Sequence, residues 1–211
     1  MIQCATIFTD HMLLQRGKPI AVFGTGTPGE TVTVSVPERR CTVSGAVGAD
    51  GSWCVTLPPM PGGTGCTMTV NEQTFTDVAF GEVWLAGGQS NMEFMQKDAK
   101  NGAGNWRSAQ TPTSGIFPCR EIPSGTTLQS CHGCRPLGLP SPETSGTWSA
   151  AGYLAAKELA QTLGVPVGII GCNFGGSSVS CWLPEEDLRA HTAGHPCRTM
   201  RMPSPERPTR R

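Results

Sequence analysis

The sequence predicts a mixed α/β fold, in which an antiparallel β-sandwich-like domain precedes an α/β domain with a parallel sheet. The 211 residues include 27 glycines and 18 prolines but one tyrosine, a composition that favours many turns between short elements over a helical bundle. Apolar residues alternate with polar ones early in the chain and form unbroken runs later. A chain of this length can form one large or two small domains.

The first 77 residues predict the sandwich. Short β-branched runs recur there between turn residues: "IAVFGTG", "ETVTVSV", "CTVSGAV", "WCVTLPP", "CTMTVN" and "QTFTDVAF". In the second run Val32, Val34 and Val36 alternate with hydroxyl-bearing residues, which is the period of a strand with one buried face. The segments "TPGE" and "ADGS" are typical of turns between neighbouring strands.

From Gly81 onward the pattern predicts a parallel strand–helix–strand unit. "EVWLAGG" is an apolar run without alternation, typical of a strand covered on both faces in a parallel sheet. "WSAAGYLAAKELAQTLG" predicts a helix that ends near Gly164, with Pro166 beyond it, and "VPVGIIG" predicts a second buried strand. Such a crossover is expected to be right-handed.

The apolar spacing predicts one stripe along the helix, made of Ala151, Leu154, Ala155, Leu159 and Leu163.

The rest of the α/β domain, which we place at residues 78–188, is less regular. Residues 97–147 are rich in Gly, Pro, Ser, Thr and Cys without a sustained period, and we expect an irregular loop there. Residues 189–211 are rich in Pro and Arg with few large apolar side chains, which predicts a disordered basic tail.

Charge and composition argue against several classes of function. The formal net charge is zero, so no overall field favours nucleic acid. No apolar run is long enough to span a bilayer, and the start "MIQCATIFTDHM" shows no export signal, so the localisation stays open.

Cys131 and Cys134, in "CHGC", have the spacing of a redox pair or half a zinc site. Because no second pair accompanies them, we expect incidental thiols and no metal.

The stretch "GEVWLAGGQSNMEF" contains the candidate nucleophile. Ser90 follows the predicted strand and two glycines and precedes a segment that could open a helix. Its hydroxyl is therefore expected at a sharp strand-to-helix turn, at the carboxyl end of the sheet, where ligands bind in open α/β folds. "GGQSNM" has the glycine before the serine of the nucleophile elbow and lacks the one after it. The alternative is that Ser90 simply caps the following helix.

Several segments in order closely resemble the sialate O-acetylesterase family of SGNH-type hydrolases. They are "FTDHMLLQRGKPIAVFGTGTPGETVTV", "DGSWCVTLPPMPGG", "FTDVAFGEVWLAGGQSNMEF", "WSAAGYLAAKELAQTLGVPVGII" and "NFGGSSVSCW". The resemblance extends from about Phe8 to Leu188 and weakens between Lys97 and Thr147. It implies an N-terminal β domain joined to an SGNH-type α/β domain, and removal of acetyl groups from sugar hydroxyls, notably of sialic acid, without a metal or cofactor. The implied partner is an O-acetylated carbohydrate.

The resemblance also implies roles for particular residues. Ser90 matches the nucleophile. Its backbone amide, together with that of Gly175 or Gly176 in "NFGG", matches the donors that bind the oxyanion. The alternative for "FGGSS" is a tight glycine turn after a strand, which is compatible with the same role because such a turn lets backbone amides face a ligand.

Two patterns of the family do not occur in these 211 residues: a "WYQGE"-type segment and the Asp-x-x-His that supplies the base. A serine hydroxyl needs a base to become a good nucleophile. Asp187 is followed at the third position by Ala190 rather than by a histidine, and none of the four histidines matches the family's base: His11, His132, His191 and His195.

These missing patterns predict a C-terminally truncated esterase with impaired activity. The alternative is a noncatalytic fragment that binds carbohydrate or is structural only. Since a parallel sheet of two or three strands leaves edges uncovered, we also expect self-association.

Overall fold

The computed structural model describes residues 1–100, 116–119, 145–183, 187 and 190. The chain divides into two compact units, Met1–Gly175 and Gly176–Arg211. Among the described residues, the first unit contains the strands and the two α-helices considered below. In the second unit, residues Val179–Trp182 form one short 3-10 helix.

The first unit begins with a set of short strands in two sheets, as the period-2 runs predict. The smaller sheet has the order β1-β3-β6, with antiparallel neighbours, and the larger one runs β5-β4-β7-β8 before it continues into parallel strands. The strands are β1 Gln3–Cys4, β2 Leu13–Gln15, β3 Ile20–Thr25, β4 Thr31–Val36, β5 Cys41–Ala46, β6 Ser52–Leu57, β7 Gly63–Val70 and β8 Gln73–Gly88.

One hydrophobic core lies between these two sheets. The alternation read from β4 is confirmed, because Val32, Val34 and Val36 are fully buried. Their partners in the same core come from both sheets, and include Leu57 of β6 and Phe80 of β8. Burial of one such side chain contributes roughly 1.5–3 kcal/mol, so this core is the main stabilising element of the N-terminal strands.

Strand β8 connects the antiparallel strands to the parallel part of the larger sheet. Its first half pairs with β7, residues Ala79–Gly81 pair with β2, and residues Glu82–Gly88 pair with the parallel strand β10, Val167–Asn173. The predicted domain boundary after residue 77 therefore falls inside one continuous strand. The division into domains at that point stays a prediction.

The predicted parallel strand–helix–strand unit is confirmed. β8 is followed by the short helix α1, Ser90–Glu93, and later by α2, Ala150–Leu163, which leads into β10. Helix α2 ends as expected, since Gly164 adopts a left-handed conformation with φ 63° and its amide donates to the carbonyl of Ala160.

The buried face of α2 differs from the predicted stripe. Leu154 is 47% exposed and Leu163 is 41% exposed. The helix instead packs its small residues on the sheet, so that a methyl group at Gly152 would lie 3.5 Å from the Ile169 side chain. Small side chains allow this close approach, so the helix buries them instead of the leucines that the spacing predicts. The residues buried along α2 are Ala150, Gly152, Tyr153, Ala156 and Ala160.

Two further expectations for the α/β part are corrected. β8 is not covered on both faces within the described residues, since Trp84 is 50% and Leu85 65% exposed. Adjacent side chains of a strand point to opposite faces, so each face of β8 is partly open here. On the face that it covers, α2 packs on β10 and on β9, Ile116–Cys119. The segment predicted as an irregular loop contains β9, which pairs in parallel with β10. Pro118 is tolerated because β9 lies at the end of the sheet.

Some predictions lie outside the described residues, namely the pair Cys131 and Cys134 and nearly all of the basic tail. In the ranges that the structure covers, no helix is long and apolar enough to cross a membrane. Across the same ranges, no group of three or more His, Cys, Asp or Glu side chains is placed to hold a metal ion.

Candidate active site

Ser90 lies at the strand-to-helix turn that the sequence predicts. β8 ends at Gly88, Gln89 follows, and Ser90 is the first residue of α1. Gly88 has φ 153°, and a methyl group there would lie 3.2 Å from Cβ of Met92. The turn therefore favours glycine at this position on both conformational and steric grounds.

The alternative role of Ser90 as a helix cap is wrong. Gln89 is the N-cap residue of α1, and no side chain caps this helix. The carbonyl of Gln89 accepts the amides of Met92 and Glu93, each at 2.9 Å. The serine hydroxyl is thus free of the capping role that serine most often takes at a helix start.

Ser90 is exposed and lines an open cavity. Its Oγ donates to Oε1 of Gln89 at 3.0 Å. The cavity has a volume of about 490 Å³ and is lined by the segment Gly87–Met92. The backbone amide of Ser90 is the first of helix α1.

The glycine turn after β10 lies beside the serine turn. Asn173 pairs with Gly88 across the sheet, and the Phe174 amide donates to the Gly88 carbonyl at 3.1 Å. A methyl group at Gly175 would lie 3.8 Å from Cα of Ser90. The parallel register of β8 and β10 thus brings together two turns that are far apart in sequence, as the nucleophile assignment requires.

The Gly175 amide already has a partner. It donates to Oε2 of Glu93 at 2.8 Å. Gly176 begins the second unit and has φ 77°, in agreement with the glycine turn expected from "FGGSS". The oxyanion roles assigned to Gly175 and Gly176 stay predictions.

The start of α2 supports the serine turn from one side. Ser149 caps α2 by accepting the Gly152 amide at 3.1 Å, and its hydroxyl lies 3.4 Å from Sδ of Met92 in α1. The Ala150 amide donates to the carbonyl of Phe94 at 2.8 Å. These contacts fix α1 against the first turn of α2.

A charged network supports the strand that leads to Ser90. Arg16 Nε donates to Glu82 Oε1 at 2.7 Å and Gln15 Nε2 donates to Glu82 Oε2 at 3.1 Å. These hydrogen bonds, with that of Arg16 the larger cause, hold the pKa of Glu82 below its ordinary value. The side chain of Gln15 also accepts the Val83 amide at 2.9 Å, so the network joins the end of β2 to β8.

Of the four histidines, the described residues include only His11. Its Nδ1 lies 2.7 Å from Oδ2 of Asp77. Asp77 belongs to the opposite half of the long strand β8 from the end that precedes Ser90. His11 therefore links the N-terminal segment to β8 and is not placed to activate Ser90 in the same chain. The other three histidines lie outside the described residues, and Asp187 is exposed.

Sequence reasoning missed Glu93. It stands three residues after Ser90 in "SNME", and a serine followed by a glutamate at that spacing is typical of a helix start. The local pattern indicates a contact within the helix, whereas the structure shows a contact with a glycine 82 residues away.

A solved structure and several curated proteins are similar to this chain. A crystal structure of a carbohydrate acetylesterase from Xanthomonas citri matches with a TM-score of 0.77 and 28% sequence identity, over 88% of this chain and 43% of that one. The fold is thus a mixed α/β fold that matches the fold of a carbohydrate acetylesterase.

Curated relatives identify the family within this class of proteins. The chain is 30% identical to the sialate O-acetylesterases of Homo sapiens and Pongo abelii, over 88% of its own length. It is 31% identical to that of Rattus norvegicus over the same share. The chain belongs to the sialate O-acetylesterase family. It spans about two fifths of these relatives, 39% of the first two and 38% of the third. No family model matches it.

Proposed function

We propose that this chain is a carbohydrate esterase that removes O-acetyl groups from sugars through Ser90. The observation that carries the proposal is the position of the Ser90 hydroxyl, which is exposed at the end of β8 and beside the glycine turn that follows β10. The substrate is an O-acetylated sugar, sialic acid or another, since the similar proteins are sialate O-acetylesterases and a carbohydrate acetylesterase.

The reaction is an acyl transfer in two steps. Ser90 Oγ attacks the acetyl carbonyl carbon and passes its proton to water, and the carbonyl oxygen becomes an oxyanion. When this intermediate collapses, the bond to the sugar oxygen breaks and that oxygen takes a proton from water. Water then cleaves the acetyl-serine, which releases acetate and restores the hydroxyl. The Ser90 amide is one oxyanion donor, and loss of one such donor costs roughly 3 kcal/mol of transition-state stabilisation. The steps use no metal or cofactor.

The activity of this chain is expected to be low. The Asp-x-x-His pattern that would supply the base does not occur in its sequence, and His11 is engaged by Asp77. Oxyanion binding and substrate positioning alone leave about a thousandfold acceleration over water in a serine hydrolase without its base. The sheet ends at the parallel strand β9 within the described residues, and such an edge favours self-association of the chain.

Labelling with a fluorophosphonate tests the nucleophile. We expect slow labelling that maps to the peptide containing Ser90, that disappears in Ser90→Ala, and that is accompanied by slow hydrolysis of an aryl acetate. Ser44→Ala is the matched control, since Ser44 is also exposed but lies on β5 in the antiparallel part of the sheet. If the parent chain shows neither labelling nor hydrolysis, the noncatalytic alternative replaces the esterase.

A further inference from the structure

Glu93 makes a contact that the proposed reaction does not use. It is the last residue of α1, and its side chain is exposed. Its Oε2 accepts the backbone amide of Gly175 at 2.8 Å, across 82 residues of sequence. A hydrogen bond from an amide to a carboxylate is charge-assisted and is stronger than one between neutral groups.

A second hydrogen bond links the same two turns. The Phe174 amide donates to the carbonyl of Gly88 at 3.1 Å. Gly88 precedes Ser90 and Glu93 follows it, so the turn after β10 is bonded on both sides of the serine. The Gly88 bond extends the sheet pairing and uses only backbone atoms. The Glu93 bond depends on a side chain, and a substitution can therefore remove it.

The carboxylate of Glu93 lies close to Gly175, in space that a side chain at position 175 would occupy. A methyl group there would overlap Oε2 of Glu93 and would lie 3.3 Å from the carboxyl carbon. The amide of Gly175 is engaged as long as the carboxylate remains in place, and it is then not available to an oxyanion.

We propose that Glu93 is a positioning residue, whose carboxylate fixes the glycine turn against the Ser90 turn through the Gly175 amide. Gly175 then contributes to the site by its position and not as an oxyanion donor. The inference rests on the proposed function for its effect on Ser90. The contact itself can be tested without any activity.

The test compares Glu93→Ala, which removes the acceptor, with Glu93→Gln, which keeps a neutral acceptor oxygen. Glu38→Ala is the matched control, since Oε2 of this exposed glutamate accepts the Thr67 amide at 3.1 Å, away from Ser90. Amide hydrogen exchange at Gly175 is expected to be about tenfold faster in Glu93→Ala, less affected in Glu93→Gln and unchanged in Glu38→Ala.

The rate of fluorophosphonate labelling is the second readout. We expect a severalfold lower rate in Glu93→Ala, partial recovery in Glu93→Gln and the parent rate in Glu38→Ala. Melting temperatures show whether each variant is folded. If Glu93→Ala does not fold, Glu93→Asp withdraws the carboxylate by one methylene group and is expected to give the same two changes.

The outcomes separate the two proposals. Unchanged exchange at Gly175 in Glu93→Ala would overturn the contact. Faster exchange with an unchanged labelling rate, or equal loss of labelling in Glu93→Ala and Glu93→Gln, would overturn the positioning role. If the parent chain is not labelled at all, the esterase proposal fails, while the exchange measurement still decides whether Glu93 fixes the turn.

Discussion

Replacement of Gly81 by alanine tests how the nucleophile strand is joined to β10. A methyl group at this position would overlap the carbonyl oxygen of Pro166 and would lie 2.8 Å from its carbonyl carbon. That oxygen accepts the Glu82 amide at 2.9 Å, and the Gly81 carbonyl itself accepts the Arg16 amide at 2.8 Å. To accept the methyl group, the start of β10 must move away from β8 by roughly 1 Å.

The expected cost follows from these contacts. Overpacking against the Pro166 backbone costs about 1–3 kcal/mol, and loss of the Glu82 hydrogen bond adds about 1 kcal/mol. We therefore expect Gly81→Ala to reduce the free energy of unfolding by roughly 2–4 kcal/mol, measured by urea denaturation followed by tryptophan fluorescence.

Gly87→Ala is the control for this substitution. Gly87 lies on the same strand, and the nearest atom to an added methyl group is the Cys172 carbonyl oxygen at 3.9 Å, an ordinary contact distance. We expect a change within about 0.5 kcal/mol for this variant. Equal stability of the Gly81→Ala and Gly87→Ala variants would refute the close approach of Pro166 to β8 as a determinant of the fold.

Two further predictions concern the elements that support the site. Because hydrogen bonds lower the pKa of folded Glu82, its contribution to stability is present above the unfolded pKa and is lost as the pH falls through the folded value. Glu82→Gln should therefore flatten the acid side of the melting temperature–pH curve, and an unchanged curve would contradict the network with Arg16. Gly164, with φ 63°, ends α2, and Gly164→Ala should lower stability by about 1 kcal/mol by urea denaturation. Gly164→Asn should cost less, since asparagine tolerates this conformation, and equal losses would contradict the assignment.

The sequence determined the features that depend on local patterns. Alternation in "ETVTVSV" identified the strand with Val32 buried, and "TLG" identified the end of α2 at Gly164. The two glycines before Ser90 identified the strand-to-helix turn. Period, turn residues and helix ends act over a few residues, so one chain is enough to read them.

Which faces and turns meet depends on the packing of the whole chain. The buried side of α2 follows small residues such as Ala156 rather than the leucines, because close packing on β10 selects for shape as well as for apolar character. The contact between Glu93 and Gly175 depends on the parallel register of two strands far apart in sequence. No local pattern encodes a distance of that kind, because the register is fixed by the packing of the whole sheet.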